Sequence, residues 1–101
     1  MTERQFQSLA VKHREAECSG KKGILCLMNF PIPKWARNQR ARGDLSESLW
    51  DGFLENQYCV VFIPYFIKGE HAGEPNWSHE LVRDACGTLE NATKVYDSWR
   101  K

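Results

Sequence analysis

Trp77, Leu81, Ala85, Leu89, Ala92, Tyr96 and Trp99 follow one another at steps of three and four residues, the spacing that lines side chains along one face of an α-helix. The pattern predicts a single terminal helix over 76–100, opened by Asn76 as its cap. Its apolar face has to be covered, either by the chain's own core or by another molecule. At 101 residues the chain supports one hydrophobic core and one domain, 1–101.

The remaining elements follow from local signals. Thr2 is placed to cap a first helix reaching about residue 18, with Phe6, Leu9, Ala10, His13 and Ala16 in one arc and Ser19-Gly20 as its terminator. Residues 24–30 are apolar except for Asn29, without the alternation of a half-exposed strand, and predict a strand covered on both faces. Pro31 and Pro33 hold the chain out of the helical region, and Pro33 suits the start of a short basic helix over 34–42 that Gly43 stops. Asp44 with Glu47 reads as an Asp-led capping box for a further helix to about residue 56, burying Leu45, Leu49, Trp50, Phe53 and Leu54. Residues 58–63 are β-branched and aromatic, and Pro64 ends that strand.

The fold expected from these elements is a small single-domain α+β arrangement in the order α-β-α-α-β-α. Helices would cover a two-stranded sheet whose strands are joined by a parallel, right-handed crossover. The alternative is a mostly α fold in which one apolar run is a buried helix, because periodicity alone does not separate the two for short runs.

Fourteen basic and 13 acidic residues leave a formal charge of +1, so no global field draws the chain to nucleic acid or anionic membranes. The longest apolar run, 58–67, is broken by Pro64 and about half the length a membrane span needs. Residues 1–12 lack the apolar core of a secretory signal. The expectation is a cytoplasmic protein without a membrane partner, its four cysteines (Cys18, Cys26, Cys59 and Cys86) reduced and used mainly as small core residues.

Chemistry has little support. No two cysteines or histidines stand at the close spacing of a structural zinc site, so neither metal nor cofactor is expected. His13 falls in an apolar stripe and reads as a core histidine, while Glu70, His71 and Glu74 read as solvated loop charges. A thiol-dependent or hydrolytic enzyme would have to pair Cys59 or Cys26 with His71 or His79. His79 and Cys86, two turns apart on the expected helix and about 10 Å along its axis, do not meet. With no phosphate loop, dinucleotide fingerprint or nucleophile elbow, the chain is read as a non-enzyme.

Binding is better supported. Lys34, Trp35, Arg37, Arg40 and Arg42 form a basic segment around an aromatic residue, suited to gripping acidic groups. Asp44, Glu47, Asp51 and Glu55 follow and compete for the same arginines. Of the four tryptophans, Trp50 and Trp77 are expected in the core, with Trp35 and Trp99 nearer the surface. Trp99, Arg100 and Lys101 make a weaker second patch. The reading is a small non-enzymatic inhibitor, adaptor or regulator docking an aromatic and arginine surface onto a protein partner, nucleic-acid-processing machinery among the options. The alternative is direct nucleic-acid binding through 34–42. A homodimer through the 76–100 helix is a further reading of the terminal face.

Overall fold

A computed structural model describes residues 1–99. The chain runs α1 (Glu3–Leu9), β1 (Ala10–Cys18), β2 (Lys21–Asn29), α2 (Lys34–Ala41), α3 (Glu47–Glu55), β3 (Tyr58–Pro64), β4 (Val82–Ala85) and α4 (Leu89–Asp97). The four strands form one sheet in chain order, each antiparallel to the next. The α+β class holds, but the two-stranded parallel sheet and the mostly helical alternative are both overturned.

Helix length explains the antiparallel return. With eight residues in α2 and nine in α3, each helix spans only about 12–14 Å. Nine-residue β2 extends about 30 Å, so neither helix can carry the chain from one end of the sheet to the other. The pair leaves and re-enters at the same end, and β3 runs back along β2, pairing from Asn29 with Tyr58 to Gly23 with Pro64.

The first predicted helix is overturned beyond Leu9. Thr2 does cap it, its hydroxyl accepting from the Gln5 amide at 3.1 Å while the Gln5 side chain accepts from the Thr2 amide at 3.0 Å. From Ala10 the chain becomes a strand, because Ser19-Gly20 acts not as a helix terminator but as a two-residue hairpin turn. Both residues have positive φ (53° and 79°), the geometry that matches the twist of adjoining antiparallel strands.

A bulge at Val11 re-aims β1. Ala10 opposes Met28 and Lys12 opposes Leu27, leaving Val11 without a partner, so successive parts of the strand address different faces of the sheet. Ala10 packs among Cys26, Met28, Cys59, Val61 and Ile63 on the face covered by Phe6, Leu9 and Trp77. Ala16 and Cys18 pack on the other face, with Leu25, Leu27, Val60, Phe62 and the α4 residues Ala92 and Tyr96. β2 and β3 are therefore buried on both sides, as their unbroken apolar runs predict.

The long terminal helix is also overturned. Only Leu89–Asp97 is helical, capped by Thr88, whose hydroxyl accepts from the Asn91 amide at 3.2 Å. Gly87 with φ 75° interrupts the pattern before it. Trp77 belongs to a loop, half-buried against Phe6 with ring centres 4.9 Å apart, and residues 82–85 form the edge strand β4. The face that was to serve a homodimer over 76–100 does not exist as one continuous surface.

Candidate docking surface

Pro33 precedes α2 and Ser46 caps α3, its hydroxyl accepting from the Leu49 amide at 3.3 Å. Asp44, expected as that cap, instead takes a bond from Arg42 Nε at 3.3 Å. The two helices share a small cluster of their own, Ile32, Ala36 and Leu45 with half-buried Trp50 and Phe53, separate from the two clusters that flank the sheet. A core this small cannot cover all the apolar residues around it. Leu49 and Leu54, expected inside, are 58% and 40% exposed, and Trp35 is 53% exposed.

The basic residues divide into two sets. Arg40 lies against the Trp50 ring, 5.3 Å from its centre, and bonds the Glu47 carboxylate at 2.5 Å. Arg42 is held by Asp44. Lys34 and Arg37 are exposed and have no charged partner among the described residues. Trp35 meets the Phe53 ring edge-on at 5.7 Å and leaves the rest of its indole to solvent. The outward set on α2 is thus Lys34, Trp35 and Arg37.

Trp99 does not join a surface patch. It is 6% exposed, stacks on Phe62 with ring centres 6.4 Å apart, and donates its indole N–H to the Glu17 carbonyl at 3.3 Å. Arg100 and Lys101 lie outside the described residues. Trp50 and Trp77, expected in the core, are both half-buried.

Neither Cys26 nor Cys59 has a hydrogen bond to a histidine among the described residues, and His79 is exposed in the chain before β4. Cys26 and Cys59 are fully buried. Burial pushes the Cys26 thiol up to about 12, and burial also raises that of Cys59, whose Sγ donates to the Asn56 carbonyl at 3.3 Å. A thiol held protonated is a poor nucleophile. His13 is not in the core: it stands exposed on β1, edge-on to Phe6 at 4.9 Å, because strand geometry turns it out of the arc a helix would give it. His71 pairs with Glu74 at 2.8 Å in an exposed loop beside Phe66 and Trp77. A groove of about 420 Å³ is walled by Tyr65, Phe66 and Ile67, with Lys21 and Lys22 at its rim and no cysteine or histidine in its lining. Among the described residues, no three or more His, Cys, Asp or Glu side chains are placed to hold a metal ion. No helix among them is long and apolar enough to cross a membrane.

Two relationships escaped sequence reasoning. Arg14 and Lys12 of β1 grip Tyr96 of α4. Glu80 takes two bonds from Arg83, at 3.0 and 2.5 Å, and lies 3.3 Å from the Met1 amine. The Glu80 to Arg83 spacing of three was the only local signal for the second.

Comparison with known proteins gives no matching family model, no similar curated protein and no similar solved structure.

Proposed function

We propose that the chain is a non-enzymatic protein-binding module that docks through the α2 and α3 pair. The observation that carries this reading is the exposure of Trp35, Leu49 and Leu54 on a helix pair whose own cluster is too small to cover them. Tryptophan and arginine dominate the energetics of protein interfaces, and apolar side chains left around a small core gain most from a partner's surface. Lys34 and Arg37 beside Trp35 suit a partner whose cleft is apolar with an acidic rim.

Direct nucleic-acid binding through 34–42 draws less support. Lys34, Arg37, Arg40 and Arg42 are matched in number by Asp44, Glu47, Asp51 and Glu55 on the same helix pair. Their charges cancel, whereas phosphate binding needs a net positive surface.

The test is a photo-crosslinking residue placed at Asn38 on the full chain, expressed in its native cell. One discrete adduct is expected, lost when Trp35 and Arg37 are both changed to alanine while the thermal midpoint stays within about 3 °C. An adduct of equal yield in the double variant removes this surface from consideration.

A further inference from the structure

The sheet has two edges of unequal character. One is β4, four residues long; the other is β1, nine residues long with neither proline nor glycine. The register fixes which backbone groups of β1 face away from the sheet. The Lys22 carbonyl accepts from the Tyr65 amide at 3.0 Å, so Lys22 directs its backbone polar groups toward β3. By the two-residue repeat of a strand, Ile24 and Cys26 do the same. Their opposites on β1 are Glu17, Glu15 and His13, which must therefore turn their N–H and C=O groups outward.

At Glu17 the outward carbonyl is already taken by the Trp99 indole. At the other end, the Val11 bulge interrupts the strand. Between them, the backbone groups of His13 and Glu15 find no partner among the described residues. Such a row of unpaired donors and acceptors is a template for another strand.

We propose that β1 pairs antiparallel with β1 of a second copy of this chain, about a two-fold axis at Arg14. In this register His13 faces Glu15 of the second copy, and Glu15 faces its His13. Two hydrogen-bonded pairs form, joining both sheets into one of eight strands. The exposed imidazole and carboxylate lie on the same sheet face and meet as cross-strand neighbours twice, while Arg14, which faces its own counterpart at the axis, has its guanidinium drawn aside onto Tyr96 of its own α4. Centring the axis on His13 would set the bulged Val11 against Glu15. Centring it on Glu15 would require the Glu17 carbonyl that Trp99 occupies. The register at Arg14 avoids both.

Sedimentation equilibrium of the full chain from about 1 to about 200 µM should show a dimer, with Glu15→Pro raising the dissociation constant at least about tenfold. That substitution removes an outward N–H and no ladder bond within the chain, so its thermal melt should remain cooperative. Arg14→Cys gives an independent check, since a residue opposite itself in a non-hydrogen-bonded pair has a Cα separation of about 4.5 Å, within disulfide range. Under mild oxidation Arg14→Cys should form a covalent dimer, while Lys12→Cys and the unaltered chain should not. A monomer at every concentration overturns the proposal, as does a dimer indifferent to Glu15→Pro or crosslinking that fails to favour residue 14. None of these readouts involves Trp35 or Arg37, so this proposal and the docking surface on α2 stand or fall separately.

Discussion

The Arg14 guanidinium lies 4.3 Å from the centre of the Tyr96 ring and donates to the Tyr96 carbonyl at 2.9 Å. One side chain thus satisfies a C-terminal carbonyl of α4 and stacks on the ring that the helix buries. Lys12 stands over the same ring at 4.9 Å and reaches Asp97 at 3.7 Å. Together the two residues tie the edge strand to the terminal helix. Arg14→Ala should lower unfolding free energy by about 1–2 kcal/mol, the sum of a partly desolvated cation–π contact and a charge-assisted bond. Urea denaturation with an unchanged slope would show it, and a loss below about 0.5 kcal/mol would mean that the clasp contributes no more than a surface contact.

Gly23 is the tightest point between β2 and β3. A Cβ built there would sit 2.2 Å from the Ile63 carbonyl oxygen and 2.8 Å from Pro64 Cα. Because both are backbone atoms, relief requires the strands to part rather than a side chain to turn. Gly23→Ala should cost about 3 kcal/mol or more despite its better intrinsic strand propensity. Equilibrium denaturation of the variant, compared with Gly52→Ala, where nothing lies within 4 Å, separates crowding from the generic effect of adding a methyl group.

What the sequence revealed depended on how many neighbours each segment had. β2 and β3 were legible because burial on both faces demands apolar residues at nearly every position, and α2 because Pro33 and Gly43 bracket it. β1 was hidden because the positions it turns toward α4, Lys12, Arg14, Ala16 and Cys18, mix charged with small residues, while the same stretch supplies helical spacing from Phe6 to Ala16. A cationic side chain that covers a tyrosine ring looks polar in the sequence although it sits on the covered face. The terminal repeat misled for a different reason: Trp77, Leu81, Ala92 and Tyr96 all pack onto the sheet, but the first two do so from the chain before β4 and the last two from α4. In the proposed docking surface, Trp35 and the basic run were visible. The pairing of Arg40 and Arg42, which leaves Lys34 and Arg37 as the outward cations, required the turn at Gly43 to be known.

The cysteines should separate by reactivity. Cys26 and Cys59 are fully buried with their thiols pushed up by burial, Cys18 is almost fully buried, and Cys86 is half-buried near the surface turn at Gly87. Alkylation of the native chain at pH 8, read by peptide mass spectrometry, should label Cys86 first and Cys26 only on unfolding. Early labelling of Cys26 would contradict the burial of the sheet face that holds it.

Glu80 makes acid stability depend on one carboxylate. Its bonds with Arg83, assisted by the nearby Met1 amine, hold its pKa below the ordinary value of 4.5 against the opposing effect of burial. A carboxylate whose folded pKa is depressed stabilises the fold above its unfolded pKa and loses that contribution as pH falls through the folded value. Glu80→Gln should therefore destabilise the chain by about 1–2 kcal/mol at pH 7. The difference from the unaltered chain should shrink as pH drops below 4.5. Paired denaturation curves from pH 7 to pH 2.5 test this, and a gap that stays constant over the range would assign the loss to packing instead of charge.

The α2 and α3 pair should open before the sheet does. Its cluster contains three buried residues, Ile32, Ala36 and Leu45, whereas β2 and β3 are packed on both faces and bonded to neighbours on both edges. Local opening free energy follows buried apolar contact, so the helix pair belongs at the low end of the range and the central strands near the global value. Native-state hydrogen exchange should show amides of 36–41 and 50–55 exchanging at least about tenfold faster than those of 24–28 and 59–63, since 1.4 kcal/mol of opening free energy already gives that ratio. If the pair docks as proposed, saturating the chain with its partner should slow exchange in the helices while leaving the central strands nearly unchanged. Equal protection of the helices and strands in the isolated chain would show that the helix pair unfolds only with the sheet.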